Sequence, residues 1–385
     1  MTAANTSNPW WTRKLTRRPP RKSLHPTMSE RSAASQGASR AGLDLSAVSH
    51  DYGRRRAVDG IGFAVAPGEI LGLLGPSGCG KSTTLRLVAG LEDLQTGAIR
   101  IGGETMADRS INIPTERRHV GMVFQDHALF PHLSVAQNIA FGLSHVAAAE
   151  RQGRIERWGR RLGLSNLLTA YPHQLSGGEQ QRVALARAMA PEPRVMLLDE
   201  PFSSLDSRLR DQIRDETVEV LKQAGTATLL VTHDPEEAMR MGDRIAIMNT
   251  GRIEQIDTPA QVYATPATPF VARFLSETNE LPVQVRGGAV DTPFGRLPVP
   301  SRLADGSAAL LMFRPEALQQ TGAGVAGTAA VTVERATALG AYGRLEIGVA
   351  GQRFAARLPA GPLPASGAVL HFGLNPDFCF VFPAA

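Results

Sequence analysis

The sequence contains little cysteine, few aromatic residues and no long apolar run. Among its 385 residues, Cys79 and Cys379 are the two cysteines, too few and too far apart for a disulfide framework or a cysteine metal cluster. This usage fits a reducing cytosol. No stretch approaches the roughly 18–20 apolar residues that cross a bilayer. We therefore expect any membrane pore that this chain serves to come from other chains.

The net charge of +5 is concentrated near the N-terminus. Residues 1–27 contain six Lys or Arg residues and no acidic residue, so the rest of the chain is close to neutral. That balance gives no signature of nucleic-acid binding, and we predict no nucleic-acid partner. Residues 1–40 lack hydrophobic periodicity, which predicts a disordered basic tail. The tail is either a dispensable extension or a contact for an anionic membrane surface, and translation starts at Met1 or at Met28.

Strand-like and helix-like segments alternate over residues 41–278. Buried strands are predicted at Glu69–Leu74 and in "HVGMVF", "RVMLLDE" and "TATLLVTHD". A mainly helical subdomain is predicted over about 127–190. This alternation predicts an α/β fold with a mainly parallel sheet that is covered on both faces. Over residues 279–385, short strand-like runs separated by Gly and Pro turns predict a small β-barrel or sandwich.

A phosphate-binding loop is the strongest motif. Residues 75–82 match G-x-x-x-x-G-K-[ST] and lie between a predicted buried strand and a predicted helix, which is the context that a P-loop requires. Its backbone N–H groups and the helix N-terminus are suited to phosphate oxygens. We expect Lys81 to contact the β- and γ-phosphates and Ser82 to bind Mg²⁺. The predicted ATP-binding residues of this loop are Gly75, Pro76, Ser77, Gly78, Cys79, Gly80, Lys81, Ser82 and Thr83.

Two acidic residues end the apolar strand "VMLL". A carboxylate at the end of a buried strand is costly unless a cation is near, and Mg²⁺ supplies that cation. Asp199 is therefore predicted to hold the metal, directly or through water. Glu200 is predicted to act as the general base toward the attacking water.

The segment "LSGGEQQR" at 175–182 resembles the signature sequence of ABC ATPases. Further motifs of that family occur in the expected order: Tyr52 as an A-loop aromatic residue, Gln125 in the Q-loop, "SSLD" at 203–206 in the D-loop and His233 in the H-loop. The resemblance covers roughly residues 43–275. It implies a P-loop NTPase of RecA-like core with an antiparallel β subdomain and an α-helical subdomain.

The resemblance also implies how these residues act. Two subunits are expected to form a homodimer with two ATP molecules between them, and Ser176, Gly177, Gly178 and Glu179 would bind the partner subunit's ATP. Asp206 would connect the two sites. His233 would hold the γ-phosphate and the water, Gln125 would contact Mg²⁺, and Tyr52 would stack on adenine. Many relatives have Gln where this chain has Glu179.

The sequences after Gln125 and in the C-terminal part of the chain resemble those of importer ATPases. The C-terminal strands, with "LMFRPEAL" at 311–318, are similar to the OB-like accessory domain (TOBE) of these importers, and Phe130, Pro131 and Leu133 are candidates for the groove that receives membrane subunits. The implied partners are two membrane permease subunits and, indirectly, a periplasmic or extracellular substrate-binding protein. The implied location is peripheral, on the cytoplasmic face of the cell membrane.

The transported substrate is the least determined property, because the resemblance implies an ATPase subunit that does not contact the cargo. The segments "RDETVEVL", "THDPEEAMRMGDRIAIM" and "VARFLSETNEL" most resemble the corresponding sequences of ATPases of ferric-iron importers. The ATPases of polyamine, sulfate and sugar importers share most of these sequence segments, so these substrates remain alternatives to ferric iron. A soluble ABC ATPase without a transport role is an alternative of a different class.

Overall fold

The computed structural model describes residues 42–203, 205–299 and 303–384, apart from the side chains of residues 207 and 208. The predicted basic tail and the choice between Met1 and Met28 lie outside these residues. The domain boundaries given above stay predictions.

Strands and helices alternate through the larger, N-terminal part of the described chain. The strands are β1 (Leu43–Tyr52), β2 (Arg55–Val65), β3 (Ile70–Leu74), β4 (Thr96–Ile101), β5 (Glu104–Ala107), β6 (Val120–Val123), β7 (Val195–Asp199), β8 (Ala227–Thr232), β9 (Arg244–Asn249) and β10 (Arg252–Asp257). The helices are α1 (Lys81–Ala89), α2 (Val135–Ala140), α3 (Ala148–Arg161), α4 (Gly177–Met189), α5 (Ser207–Ala224), α6 (Pro235–Met241), α7 (Pro259–Ala264) and α8 (Pro269–Leu275).

The central sheet has the strand order β10-β9-β3-β8-β7-β6. All neighbours are parallel except β10, which pairs antiparallel with β9. Along β7, Met196 and Leu198 belong to one apolar core, whereas Val195 and Leu197 belong to another. Continuously apolar strands are what a sheet buried on both faces requires. The prediction of an α/β fold with a mainly parallel sheet is therefore confirmed.

The strand predicted from Glu69 begins one residue later, at Ile70. The carboxylate of Glu69 instead closes the preceding turn by accepting a hydrogen bond from the N–H of Ala66 at 2.7 Å. Such a local side-chain bond to the backbone competes with strand pairing.

A second, antiparallel sheet has the strand order β2-β1-β4-β5. Its apolar face shares one core with α1 and with a face of the central sheet, through residues such as Phe63, Leu85 and Val195. This packing fixes the β1–β2 hairpin relative to the loop that precedes α1.

Helices α2, α3 and α4 cover the other face of the central sheet. The spacing of Ile155, Trp158 and Leu162 predicts one buried helix face, and all three are at most 6% exposed. Helix α5 ends at Ala224, and Gly225 follows in the left-handed conformation, as the predicted stop requires.

The C-terminal part is all-β. Its strands are β11 (Asn279–Arg286), β12 (Ala289–Thr292), β13 (Gly295–Pro298), β14 (Ala308–Phe313), β15 (Leu318–Thr321), β16 (Thr328–Ala338), β17 (Tyr342–Val349), β18 (Gln352–Pro359), β19 (Val369–Leu374) and β20 (Cys379–Pro383). They form two antiparallel sheets, β13-β12-β11-β14-β20 and β15-β19-β16-β17-β18, around one shared apolar core. This arrangement is an OB-like barrel, one of the two forms predicted.

Arg314 joins this barrel to the helices before it. Its guanidinium is fully buried, lies 3.7 Å from the ring centre of Tyr263 in α7, and donates to the Tyr263 carbonyl at 3.0 Å. It also donates to the Ser276 hydroxyl that follows α8, while the Tyr263 hydroxyl donates to Glu316. Burial raises the pKa of Tyr263 to about 12, so this hydroxyl keeps its proton at neutral pH. One buried cation thus holds α7, α8 and the barrel together.

We expect Arg314→Met to lower the free energy of unfolding by about 2–4 kcal/mol, because it leaves buried acceptors without their donor. Denaturant unfolding measures this. The matched control is Arg353→Met, since the Arg353 side chain is 81% exposed and pairs with Glu334 at the surface. Equal losses from both substitutions would contradict the role given to Arg314.

Candidate nucleotide-binding and hydrolysis site

The loop between β3 and α1 is pressed against neighbouring backbone. A Cβ added at Gly75 would lie 2.2 Å from the Met248 carbonyl oxygen, and one at Gly80 would lie 2.2 Å from the Ala57 carbonyl oxygen. Gly80 also has a φ of 111°, which side-chain-bearing residues rarely adopt. Only glycine fits at both positions, so the sequence closes the loop into a cradle of backbone N–H groups.

Lys81 begins α1 and lies across this cradle. Its side chain is buried, and Nζ donates to the carbonyls of Gly75 at 2.7 Å and Pro76 at 3.1 Å. A lysine ammonium has three donors, so it can hold the loop and also meet phosphate oxygens. Cys79 is 3% exposed and burial raises the pKa of its thiol, which makes it an unreactive small residue of the loop.

Ser82 and Asp199 meet although they are far apart in sequence. The Ser82 hydroxyl donates to Asp199 Oδ1 at 3.3 Å. A hydroxyl and a carboxylate are the hard oxygen ligands that Mg²⁺ prefers, so this pair fits the predicted metal. Burial raises the pKa of Asp199, because the partly buried carboxylate is withdrawn from water.

Glu200 and His233 form a second pair beside the first. Glu200 follows β7, has a φ of 44° and donates its N–H to the Val231 carbonyl in β8 at 2.9 Å. His233 follows β8, and its Nδ1 lies 3.0 Å from Glu200 Oε2. A glutamate in the left-handed region is strained, and such strain is typical of functional sites. The parallel pairing of β7 with β8 therefore brings a carboxylate and an imidazole together.

Tyr52 lies at the end of β1, over the same region. It is 44% exposed, its hydroxyl donates to Glu92 Oε1 at 2.9 Å, and its ring contacts His50 edge-on at 4.7 Å. It borders a cleft of about 280 Å³. The residues that line the cleft are Tyr52, Arg55, Ala57, Gly78, Gly80, Lys81, Ser82 and Thr83. An exposed aromatic ring above a phosphate cradle can stack on a base.

The signature residues lie elsewhere and do not line this cleft. Ser176 caps α4, with its N–H and hydroxyl both donating to Glu179 Oε2 at 2.8 and 2.7 Å. These bonds lower the pKa of Glu179 and give the carboxylate a capping role. A Cβ on Gly178 would lie 2.7 Å from Leu209 in α5, so this glycine lets the two helices approach closely.

Gln125 and Asp206 also lie outside the cleft's lining. Gln125 is exposed in the turn after β6. Asp206 precedes α5 and accepts a hydrogen bond from the N–H of Leu209 at 3.0 Å. Their predicted roles depend on a nucleotide and a second subunit, and those roles stay proposals.

Sequence reasoning missed two arginines that shape these loops. Arg187 in α4 donates to the carbonyls of His127 and Ala128, at 2.8 and 2.6 Å, where the chain after Gln125 has positive φ at both residues. Its guanidinium also lies 5.4 Å from the ring centre of Phe130. Arg187 thus fixes the shape of the turn after Gln125.

Arg214 in α5 has the same function for the turn that carries His233. It is 3% exposed and its Nη2 contacts Asp234 at 2.9 Å and Glu237 at 3.4 Å. The hydroxyl of Thr232 donates to Glu237 at 3.2 Å, so residues on both sides of His233 are anchored. The acidic run "DPEE" is the one sequence signal that a cation is needed there.

Comparison with known proteins agrees with this geometry. The family described as ABC transporter matches residues 58–203, and the TOBE domain matches residues 311–382. The spermidine/putrescine import ATP-binding protein PotA of Pseudomonas fluorescens (strain Pf0-1) is 45% identical over 280 residues, which are 70% of this chain and 76% of that protein. The chain belongs to the ATP-binding subunits of ABC importers.

Relatives in this family carry the names of different cargos. The Fe(3+) ions import ATP-binding protein FbpC of Haemophilus influenzae (strain 86-028NP) is 42% identical over 268 residues, 69% of this chain and 76% of that protein. The sulfate/thiosulfate import ATP-binding protein CysA of Mesorhizobium japonicum is 42% identical over 350 residues, 88% of this chain and 98% of that protein. Overall identity therefore does not distinguish the cargos.

Among solved structures, CbiO1 from Clostridium perfringens, described as part of the ABC transporter complex cbiONQ, matches with a TM-score of 0.54 and 29% identity. The match covers 59% of this chain and 92% of that one. This likeness agrees with the ABC ATPase fold. No helix in the part of the importer subunit that the structure describes is both long and apolar enough to span a membrane.

Asp199 gives the first test of this site. Because its pKa is raised above the ordinary 3.8, the ionised carboxylate opposes folding, and stability falls as pH rises from the ordinary value through the raised one. We expect Asp199→Asn to keep or raise the melting temperature without ligands at pH 7. We also expect it to weaken ATP binding in Mg²⁺ at least about tenfold.

Thermal unfolding with ATP, with and without Mg²⁺, measures both effects. Asp291→Asn is the control, because that side chain is 70% exposed in the barrel. An undiminished Mg²⁺-dependent stabilisation in Asp199→Asn would rule out the metal role.

Proposed function

We propose that this chain hydrolyses Mg²⁺-ATP to energise an importer, and that the cargo is ferric iron. The observation that supports hydrolysis most strongly is the convergence of two pairs, Ser82 with Asp199 and Glu200 with His233, at the carboxyl ends of β3, β7 and β8. In an open α/β sheet, this edge is where ligands bind.

Each residue of the site has a separate task in this proposal. Lys81 and the P-loop N–H groups hold the phosphate chain, and Tyr52 stacks on the adenine. Ser82, Asp199 and Gln125 would hold Mg²⁺, and the bound metal would supply charge neutralisation at the phosphates. Glu200 accepts a proton from the attacking water. His233 fixes the Glu200 carboxylate and contacts the γ-phosphate.

A homodimer completes the proposed site. In the described residues of one subunit, the capped N-terminus of α4 lies outside the cleft, although its N–H groups suit a phosphate. A partner subunit would bring its Ser176, Gly177 and Gly178 to this cleft, and Asp206 would lie at the contact between the two subunits. ATP would therefore close the dimer, and hydrolysis would reopen it.

The surface after β6 suits attachment to the membrane subunits. The ring centres of Phe130 and Phe141 lie 4.2 Å apart with the ring planes tilted by 36°, and Phe141 is 58% exposed. Exposed aromatic clusters mark interaction sites. With Pro131 and Leu133, they would receive two permease subunits and hold the protein on the cytoplasmic face of the membrane. A substrate-binding protein outside the membrane would act through those permeases.

The proposal of ferric iron rests on the amino-acid sequences around α5, α6 and α8, which resemble those of ATPases of ferric-iron importers. Sulfate is the second candidate, because the alignment with the sulfate/thiosulfate relative extends over 350 residues, compared with 268 for the Haemophilus Fe(3+) relative. Polyamine import remains the third candidate on the 45% identity to the spermidine/putrescine relative.

The base assignment predicts that Glu200→Gln lowers the rate of ATP hydrolysis about 10²- to 10³-fold while ATP still binds. Phosphate release and ATP-dependent dimerisation on a sizing column measure the two properties. Glu192→Gln is a matched control, because Glu192 also has positive φ but is exposed and lies outside the site. Rapid turnover by Glu200→Gln would refute the assignment.

The cargo is tested in a strain that lacks this gene. We expect loss of ferric-iron uptake, restored by the wild-type gene but not by Glu200→Gln, with normal sulfate and putrescine uptake. A defect confined to sulfate or putrescine would replace the cargo and leave the hydrolysis site as proposed.

A further inference from the structure

Three consecutive arginines in the β1–β2 hairpin have different environments. Arg54 is exposed at the turn and makes no hydrogen bond or ion pair with the described residues. Arg56 is tied to Asp51 at 2.9 Å and to Asp59 at 3.1 Å. Arg55 instead turns toward the P-loop, and its Nη2 donates to the Gly78 carbonyl at 2.9 Å.

Arg55 brings uncompensated charge to the nucleotide cleft. It lines the cleft together with Tyr52 and Lys81, and no carboxylate among the described residues pairs with it. A guanidinium has five N–H donors, and the bond to Gly78 uses one of them. The remaining donors are on the same guanidinium, beside the loop that cradles phosphate, and phosphate is an anion that arginine binds bidentately.

We propose that Arg55 is a nucleotide-binding residue that contacts the phosphate chain from the β2 side of the cleft. The inference rests on the proposed binding of ATP and adds a second cation to Lys81. Tyr52 and Arg55 stand three residues apart on one hairpin. That hairpin therefore supplies both a ring for the base and a charge for the phosphates.

A competing role for Arg55 is structural, since its bond to Gly78 could merely steady the loop. The two roles differ in how they depend on ligand and salt. A phosphate contact strengthens ATP and ADP binding but not adenosine binding, and ions in solution screen it because Arg55 is exposed. A structural brace has no such dependence on ionic strength.

The experiment compares Arg55→Gln with Arg54→Gln in the full-length chain. The two variants lose the same positive charge from adjacent positions. Calorimetry in Mg²⁺ measures the Kd for ATP and ADP, and competition measures adenosine binding. We expect Arg55→Gln to raise the Kd for ATP and ADP about five- to tenfold at low salt. Arg54→Gln should stay within about twofold. Adenosine binding should be unchanged, and the Arg55 effect should shrink in high salt.

Equal affinities in the two variants would overturn the inference, and so would a loss of adenosine binding that matches the loss of ADP binding. An effect of Arg55→Gln that is the same at low and high salt would also overturn it, in favour of a structural brace. If the wild-type chain binds neither ATP nor ADP, the proposed function itself fails.

Discussion

The parallel pairing of β7 between β6 and β8 is the constraint on which the rest of the structure depends. Its residues alternate between the two apolar cores, so burial fixes its register on both faces. That register places Asp199 opposite Val231 and brings Glu200 to His233. A one-residue slip would exchange the two cores and move both carboxylates away from the P-loop. Burial of the apolar residues of β7 thus sets the positions of the charged groups that follow it, although burying a charged group is itself unfavourable.

The packing of the surrounding elements holds those charged groups in states that are unfavourable on their own. Asp199 has a raised pKa, Glu200 has a left-handed backbone, and Lys81 is a buried cation. Each feature opposes folding, and together they occur where a polyanion and a metal would compensate them. Such a site is less stable than an apolar packing of the same loops, and nucleotide binding recovers the difference by stabilising the folded state.

Local signals in the sequence were enough to predict the mainly parallel α/β fold and to mark the candidate motif residues. Strand and helix periodicity are local signals, and residues 75–82 must be contiguous to wrap a phosphate. Contacts between distant residues that belong to no motif were not predictable. Arg187 meets a carbonyl 60 positions away, and Arg214 meets Asp234 20 positions away, with no periodicity that selects them. Arg55 is one of three adjacent arginines, and only the packed hairpin distinguishes it from Arg54.

The cargo leaves only a weak signal in the sequence of this chain. The described contacts of the site join the P-loop, the ends of β7 and β8 and the neighbouring loops, and relatives named for iron, sulfate and polyamine import are similarly identical to this chain, at 42–45%. Selection of the cargo requires differential contact with it. The surface of Phe130 and Phe141 would contact permease helices rather than the cargo, so its sequence would record the partner. Identifying the permease therefore gives more information about the cargo than further analysis of the ATP site.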